Sequence, residues 1–445
     1  MRPDIIMGTA LENGSFHKTN RPPRFIFLDA ESQTAMSIDQ EIEFMHTLLI
    51  GGSGSGKSNV LFQMVAQITN APPAEKQDCI TLIFDTKGDY FRHRGFFWEG
   101  DLLIGNNAEF RDRSQAWNLF DEVLADGEKP VDYEANAREI AAVLFKGRGS
   151  KTQPFFANAA RDIFANTVIY FIRRSRDNPD VWRDKLNNCD LVNFLMRAGP
   201  KDFLKIFQRY PDMQGLTSYF GDGSSNQALG VFGELRSMLY DCFQGVFRLK
   251  PTPQRPAFSI RQAMRSKGGR SIFIEYDLAT GEVMTPMYRL LVDLALKEAL
   301  SRQSNGRTYL FLDELKLLPE VTHLEDALNF GRGKRVCVVA GLQNVNQMYA
   351  IYGRERGQTI LGGFGSVFAM RTSDADTREY ITQLFGSNVT AYTYRSRDDR
   401  PIDREHSGHT VEDWHQRKLR VGQAIVGLAS QPDPFLFQFE RDPFE

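Results

Sequence analysis

The chain has 445 residues, of which 42% are hydrophobic and 25% are charged, and its formal net charge is -2. This length exceeds one typical core and predicts about two or three domains. The balanced composition excludes disordered, collagen-like and coiled-coil proteins. The nearly neutral charge excludes a uniformly basic surface, so any nucleic-acid site is confined to local patches.

No stretch of the sequence predicts a membrane span or a secretion signal. The first residues lead into no apolar segment of a signal peptide. The one long uncharged stretch, residues 336–353, carries amide side chains near its middle, which the interior of a bilayer excludes. The four cysteines are widely spaced, which favours reduced thiols in the cytosol. We therefore expect a cytoplasmic protein with no membrane span of its own.

The first part of the chain predicts the order strand, loop, helix around a glycine-rich loop. Short apolar runs at residues 25–28 and 46–50 are typical of strands, and the second run ends directly in Gly51. After the loop, residues 59–68 carry apolar side chains with helical spacing. A phosphate-binding loop requires this local order.

A second polar turn is predicted at the same edge of a sheet. The apolar run 80–84 is typical of a buried strand, and Asp85, Lys87 and Asp89 follow it. Open α/β sheets bind ligands at the carboxyl ends of their strands. These residues could serve a metal shell, a subunit contact or the bracing of the loop.

The middle of the chain changes to a helical pattern, and strands return after it. Residues 130–255 hold several helical segments, and apolar runs typical of strands follow at 271–276, 308–312, 336–340 and 365–370. We predict an α/β fold in which one mainly parallel sheet domain is interrupted by an inserted all-α domain. The predicted limits are 1–128 for the first half, 129–257 for the insertion and 258–445 for the second half.

The glycine-rich loop carries a complete phosphate-binding pattern. Backbone amides approach a phosphate chain closely only where glycines leave room, and the following helix attracts anions at its N-terminus. Lys57 is expected to reach the β and γ phosphates of ATP, and the Ser58 hydroxyl is expected to bind Mg²⁺. The predicted ATP-binding residues are Gly51, Gly52, Ser53, Gly54, Ser55, Gly56, Lys57 and Ser58.

Four further residues are candidates for a hydrolytic site. Nucleotide hydrolysis needs a carboxylate for the metal shell and a group that orients water. Asp313 and Glu314 follow an apolar strand, so we assign Asp313 to Mg²⁺ and Glu314 to the water. Gln343 ends the next strand and is either a sensor of the γ phosphate or a turn partner. Arg332, in a basic turn, is either an arginine finger for another subunit or a solvated cation.

These residues belong to a set of segments that resembles the type IV secretion coupling proteins of the TraD/TrwB kind. The resemblance covers nearly the whole chain, and the block around Arg332 and Gln343 is more specific than the phosphate loop. The segments are 46–58 (HTLLIGGSGSGKS), 84–89 (FDTKGD), 117–118 (WN), 258–261 (FSIR), 310–314 (LFLDE), 331–334 (GRGK) and 338–343 (VVAGLQ).

The resemblance implies a RecA-like P-loop NTPase domain with an inserted all-α domain. It also implies a homohexameric ring that passes single-stranded DNA through a central channel, with a relaxase and type IV secretion ATPases as partners. It makes Arg332 a trans-acting arginine finger and Gln343 a residue that couples phosphate state to motion. Members of the family usually begin with transmembrane helices. Either this sequence starts after them, or a membrane-anchor protein recruits a soluble relative to the membrane.

A basic loop at the start of the helical insertion is the candidate DNA contact. Lys146, Arg148 and Lys151 alternate with glycines, and single-strand channels combine positive charge with stacking groups. The loop either contacts phosphate in the channel or is an ordinary charged surface loop.

Three other functions share the phosphate loop. A soluble DNA pump of the HerA/FtsK kind, acting in repair, segregation or antiphage defence, would use the same residues with different partners. A nucleotide-gated adaptor would recruit substrates and hydrolyse little, whereas Glu314 and Arg332 favour hydrolysis. A small-molecule kinase would have a substrate pocket and no response to DNA, and the helical insertion disfavours it.

Overall fold

The computed structural model describes residues 4–13, 22–93, 95–149, 154–220, 225–303, 305–395 and 401–441. Its strands are β1 (Asp4–Met7), β2 (Glu12–Asn13), β3 (Pro23–Leu28), β4 (Ala35–Asp39), β5 (Thr47–Ile50), β6 (Cys79–Asp85), β7 (Leu102–Gly105), β8 (Ala116–Trp117), β9 (Ala257–Phe258), β10 (Ser271–Glu275), β11 (Arg307–Leu312), β12 (Val336–Leu342), β13 (Ser366–Met370), β14 (Ser387–Arg395), β15 (Pro401–His409), β16 (Gln423–Gly427) and β17 (Phe435–Gln438).

The helices are α1 (Lys57–Thr69), α2 (Pro73–Lys76), α3 (Asp89–Arg92), α4 (Ala108–Arg111), α5 (Leu119–Val123), α6 (Pro130–Leu144), α7 (Phe155–Asp177), α8 (Pro179–Trp182), α9 (Asn188–Arg197), α10 (Pro200–Gln208), α11 (Asn226–Cys242), α12 (Ile260–Ser266), α13 (Gly281–Leu300), α14 (Leu324–Phe330), α15 (Val345–Tyr352), α16 (Arg354–Gly362), α17 (Ala375–Leu384) and α18 (Asp413–Arg417). Short 3-10 helices cover Glu43–Met45, Arg183–Lys185, Pro211–Tyr219, Gly245–Arg248, Leu315–Leu317 and Gly331–Lys334. Among the helices of the described ranges, none is both long enough and apolar enough to span a bilayer.

The chain forms two compact units. The first contains residues 1–101, 267–271 and 299–445, and the second contains residues 102–266 and 272–298. These units are defined by how compactly their residues pack, and they do not test where an inserted domain begins and ends. The limits 129–257 of the predicted all-α insertion therefore stay a prediction.

The first unit is built on a mainly parallel sheet. Among the described residues of this unit, the strands of the sheet follow the order β2-β17-β16-β13-β5-β12-β11-β6. The strands β6, β11, β12, β5 and β13 run parallel to their neighbours, and β16 and β17 add to the edge in antiparallel pairs. The central strands are buried along their whole length, as expected for a sheet covered on both faces. This confirms the predicted α/β class.

Helix α1 forms where the sequence predicted it, directly after the glycine-rich loop. Its apolar positions recur at intervals of three and four residues, so they share one face of the helix. That face is buried against the sheet side of the unit; it consists of Val60, Leu61, Met64, Val65 and Ile68.

The second unit is mainly helical. Residues 130–255, which the sequence predicted to be helical, contain the helices α6 to α11. The unit also contains the parallel pair β7 and β10 and the short pair β8 and β9.

Two of the segments that carry the family resemblance meet at a buried carboxylate in this second unit. Glu122 is fully buried, and one of its oxygens accepts a hydrogen bond from Trp117 Nε1 at 2.8 Å. The other oxygen accepts hydrogen bonds from Ser259 Oγ at 2.8 Å and from the backbone N–H of Arg261 at 3.1 Å. A buried carboxylate is tolerated only when donors satisfy it. The WN and FSIR segments are therefore explained by folding of this unit.

Candidate nucleotide-binding site

The glycine-rich loop joins β5 to α1 and adopts a conformation that requires glycine. Gly56 has φ 108°, in the left-handed region that side chains avoid, and it is the residue just before the first turn of α1. A Cβ atom at this position would also lie 3.0 Å from Cα of Gly422. Both the backbone conformation and the close approach of the neighbouring segment therefore exclude a larger residue.

Backbone hydrogen bonds from neighbouring strands fix the loop. The N–H of Gly51 donates to the carbonyl of Leu342 at 3.0 Å, and the N–H of Gly52 donates to the carbonyl of Arg371 at 2.9 Å. On the other side, the N–H of Gly422 donates to the carbonyl of Ser55 at 2.9 Å. The loop is therefore preorganised rather than left to be ordered by a ligand.

A cavity of about 580 Å³ opens beside this loop. Six consecutive residues of the predicted phosphate-binding segment line it, namely Ser53, Gly54, Ser55, Gly56, Lys57 and Ser58, whereas Gly51 and Gly52 serve to anchor the loop. The cavity also brings together the predicted residues Asp313, Glu314 and Gln343. These predicted residues therefore lie together around one cavity, whereas Arg332 does not line it.

Lys57 is held inside its own loop. Its Nζ donates hydrogen bonds to the carbonyls of Gly51 at 2.6 Å and Gly52 at 3.2 Å. Burial lowers the pKa of Lys57, and the negative charges of Glu314 and Asp313 oppose this effect. The ammonium is thus kept close to the place where phosphate oxygens would bind.

Asp313 lies at the carboxyl end of β11 and is buried. Burial raises the pKa of Asp313 to about 7, and the nearby charge of Asp85 raises it in the same direction. The neighbouring strand approaches very closely, since a Cβ atom on Gly341 would lie 2.1 Å from the carbonyl oxygen of Asp313. Glycine at position 341 thus allows the ends of β11 and β12 to bring their polar side chains together.

These residues fit a magnesium site. Mg²⁺ is usually bound by one or two protein oxygens, with waters and substrate phosphates as its other ligands. The hydroxyl of Ser58 and the carboxylate of Asp313 line the same cavity. A divalent cation would also supply the positive charge that the buried carboxylates Asp313 and Asp85 lack.

Without a metal ion, we expect Asp313→Asn to stabilise the chain at pH 8. The folded chain binds the proton of Asp313 more tightly than the unfolded chain, because the pKa rises from 3.8 to about 7. The free energy of unfolding therefore falls as pH rises from about 4 to 7, and the loss is on the order of 4 kcal/mol. Denaturant unfolding in EDTA should show a higher midpoint for the variant at pH 8 and no difference at pH 4. An equal midpoint at pH 8 would mean that the charge is already compensated.

Glu314 and Gln343 contact each other in the cavity. Gln343 Nε2 donates to Glu314 Oε2 at 2.7 Å, and Glu314 Oε1 is buried without a hydrogen-bond partner among the described residues. One carboxylate oxygen is therefore oriented by the amide while the other is left to accept a proton or a water. The contact places Gln343 beside Glu314, and its role as a sensor of the γ phosphate stays a prediction.

In the polar turn that follows β6, Asp85 and Lys87 have different roles. Asp85 braces the turn, because its carboxylate oxygens accept the backbone N–H groups of Lys87 and Tyr90, both at 2.9 Å. Lys87 and Thr86 line the cavity instead. Of the roles that the sequence left open, loop bracing is therefore observed for Asp85, and Lys87 is a cavity residue that the predicted site did not include.

Arg332 lies away from the cavity of its own chain. It is exposed in the 3-10 helix that precedes β12, whereas Gln343 follows the other end of that strand. Seven residues of strand separate the two ends by about 20 Å, which an arginine side chain does not span. His46 lies close to this turn, since a Cβ atom on Gly331 would lie 3.2 Å from His46 Cε1.

One wall of the cavity was not predicted from the sequence. Val421 and Gly422 come just before β16, and they approach the loop through the antiparallel edge of the sheet. The signal that could have located them is the apolar run 424–426 after a glycine, which is typical of one more strand. The remaining residues of this wall are Asn59, Gln438, Phe439 and Arg441.

The basic loop of the second unit is partly neutralised. Arg148 Nη2 donates to Asp241 Oδ2 at 2.5 Å, and Arg148 Nη1 lies 3.4 Å from Ser237 Oγ. The carbonyl of Lys146 accepts a hydrogen bond from Arg289 at 3.3 Å, which fixes the backbone of the loop. Lys151 lies outside the described residues. The DNA contact of this loop stays a prediction, and Arg148 has a structural role in any case.

A mainly parallel sheet with a phosphate loop after a central strand, and acidic residues after the strand next but one, defines the RecA-like P-loop NTPase class. Residues 31–401 match the family described as the type IV secretion-system coupling protein DNA-binding domain. The chain therefore belongs to this family, as the resemblance predicted.

Individual relatives are similar at modest identity. The chain is 23% identical over 333 residues to the coupling protein TraD of Escherichia coli, covering 73% of this chain and 41% of TraD. It is 23% identical over 335 residues to the protein VirD4 of Agrobacterium fabrum, covering 71% of this chain and 46% of VirD4. The chain thus spans less than half the length of these curated relatives.

Solved structures of the conjugative coupling protein TrwB have the same fold. The unbound form superposes with a TM-score of 0.75 at 21% identity and covers 99% of this chain and 94% of that chain. TrwB in complex with ADP and Mg²⁺ gives a TM-score of 0.73 at 20% identity, with 99% and 95% covered. The likeness extends over both units, so it includes the helical one.

Proposed function

We propose that this chain is an ATP-hydrolysing motor that moves DNA as a coupling protein of a type IV secretion system. The observation that carries the proposal is that the phosphate loop, Asp313, Glu314 and Gln343 line one cavity. A binding module needs only the loop, whereas a hydrolase also needs the acidic pair. Membership of the coupling-protein family connects this chemistry to DNA and to secretion.

Each residue of the cavity has a role in this proposal. The backbone amides of 53–58 and the Lys57 ammonium hold the β and γ phosphates of ATP. Ser58 and Asp313 hold Mg²⁺, which neutralises phosphate charge when bound. Glu314 orients the attacking water and accepts its proton, and Gln343 fixes the orientation of Glu314. The solved complexes of TrwB with ADP and Mg²⁺ and with an ATP analogue support these ligands.

The position of Arg332 supports assembly as a ring. A residue about 20 Å from the cavity of its own chain can act only on the cavity of another copy. A head-to-tail interface that closes on itself generates a ring, and each copy then supplies one arginine and receives one. We therefore propose a homohexamer in which Arg332 stabilises the charge that develops on the γ phosphate of the neighbour.

DNA and the secretion partners are the least direct part of the proposal. We propose that single-stranded DNA passes through the centre of the ring and that Lys146 contacts its phosphates, with Arg148 bracing the loop through Asp241. A relaxase, type IV secretion ATPases and a membrane-anchor protein are the expected partners at the cytoplasmic face of the membrane.

ATP hydrolysis measured with and without DNA tests the proposed function. We expect hydrolysis by the wild-type chain to increase when single-stranded DNA is added, and Lys57→Ala to abolish it, because the phosphates lose their buried cation. Double-stranded DNA serves as the comparison for strand preference. A wild-type chain that binds ATP and hydrolyses none, with or without DNA, would contradict the motor and favour an adaptor.

The same assay tests the proposed contact between DNA and the basic loop that contains Lys146. Lys146→Glu should reduce the stimulation by DNA and leave the basal rate unchanged, since the residue lies outside the nucleotide cavity. Lys201→Glu, at an exposed position of α10, changes the charge by the same amount and in the same direction and is the matched control for nonspecific electrostatics. Equal stimulation of Lys146→Glu and wild type would remove this loop from the DNA path.

A further inference from the structure

We propose that Lys87 is a second cation of the nucleotide site and that it binds the terminal phosphate of ATP. This inference rests on the proposed function, because it names one more residue of the same cavity. It would make Lys87 the residue by which the site distinguishes ATP from ADP.

The backbone of Lys87 is fixed by the buried turn beneath it. The N–H of Lys87 donates to Asp85 Oδ1 at 2.9 Å, and its carbonyl accepts a hydrogen bond from Arg92 Nη1 at 2.8 Å. Asp85 is fully buried, and the following Gly88 has φ 74°, which reverses the chain immediately after the lysine. A turn held at both backbone atoms presents its side chain from a fixed position, which a binding residue requires.

The side chain of Lys87 belongs to the cavity. It lines the cavity together with Asp313 and Glu314, and it is exposed. Within the described residues, its ammonium makes no hydrogen bond or ion pair. Lys57 is different, since its ammonium is already bound by two carbonyls of the loop. Lys87 is therefore the cavity lysine that can turn toward a ligand without breaking a hydrogen bond.

The strand order places Lys87 at the terminal end of a bound phosphate chain. The order is β5-β12-β11-β6, and the phosphate loop follows β5, the acidic pair follows β11 and Lys87 follows β6. The phosphate chain begins at the loop and must end beside Glu314, where water attacks. Lys87 is on the far side of that acidic pair, so it faces the last phosphate rather than the nucleoside.

Equilibrium binding of ADP and of a non-hydrolysable ATP analogue, both with Mg²⁺, tests the inference. Lys87→Ala should weaken binding of the ATP analogue by about tenfold, the loss of one charge-assisted hydrogen bond, and change ADP binding less than about twofold. Lys87→Arg should restore most of the preference for the ATP analogue, because it restores the cation. Thermal unfolding should be unchanged in both variants, since the side chain is exposed.

The matched control is Lys316→Ala. Lys316 acts electrostatically on Lys57, yet it does not line the cavity. Its removal subtracts the same charge and should leave the ratio of the two affinities unchanged. If Lys87→Ala weakens both nucleotides equally, or neither, Lys87 does not bind the terminal phosphate although the proposed function stands. A wild-type chain that binds neither nucleotide would overturn the proposed function and the role of Lys87 together.

Discussion

Glu314→Gln is expected to reduce kcat for ATP hydrolysis by about 100-fold or more and to leave ATP binding unchanged. The substitution preserves the shape of the side chain and keeps an oxygen that can accept the hydrogen bond from Gln343. In the wild-type chain this bond joins Gln343 Nε2 to Glu314 Oε2 at 2.7 Å. It removes the negative charge from Oε1, the buried oxygen that has no partner among the described residues. The variant can therefore hold nucleotide and still lack the group that accepts a proton from water.

Nucleotide binding and turnover must be measured on the same preparation. Kd for ATP should agree with that of the wild type within a factor of about two, which would show that the cavity is intact. Glu325→Gln is the matched control, because Glu325 pairs with Arg356 at 2.9 Å and does not line the cavity. A variant at position 314 that keeps the wild-type kcat would assign the water-activating role to another group.

The parts of the site that the sequence predicted are those made by local order. The strand β5, the glycine loop and α1 are consecutive, so apolar spacing and one motif were enough to locate Lys57 and Ser58. Asp313 and Glu314 were found in the same way, because they directly follow an apolar strand. Parallel strands bring their carboxyl ends to one edge, and this rule placed Gln343 beside Glu314.

The parts that escaped prediction depend on contacts between distant segments. Val421 and Gly422 reach the loop only because β16 adds to the edge of the sheet in the antiparallel sense, and apolar spacing does not reveal strand direction. The sequence left the role of Lys87 open, since only the buried contacts of Asp85 separate the bracing residue from the cavity residue. The sequence predicted Arg148 as part of a DNA-contacting loop and did not reveal its partner Asp241, which lies 93 positions later.

Arg332→Ala is expected to reduce hydrolysis by about 1,000-fold or more in the assembled protein, the range for loss of an arginine finger. ATP binding should change little, because Arg332 does not line the cavity of its own chain. The control is Arg335→Asn in the same turn. Arg335 has φ 54°, and asparagine tolerates this backbone conformation better than alanine, so the control removes a charge without adding strain.

Mixing two inactive variants distinguishes action on a neighbouring copy from action within one chain. Lys57→Ala lacks a working phosphate loop but offers a normal Arg332, and Arg332→Ala has the opposite defect. In a random mixed ring, about a quarter of the interfaces pair an intact loop with an intact arginine, since each interface joins two different surfaces. Activity should therefore reappear on mixing, toward about a quarter of the wild-type rate. If subunits exchange and the mixture stays inactive, Arg332 does not act across the interface, and its exposed position opposite the cavity needs another explanation.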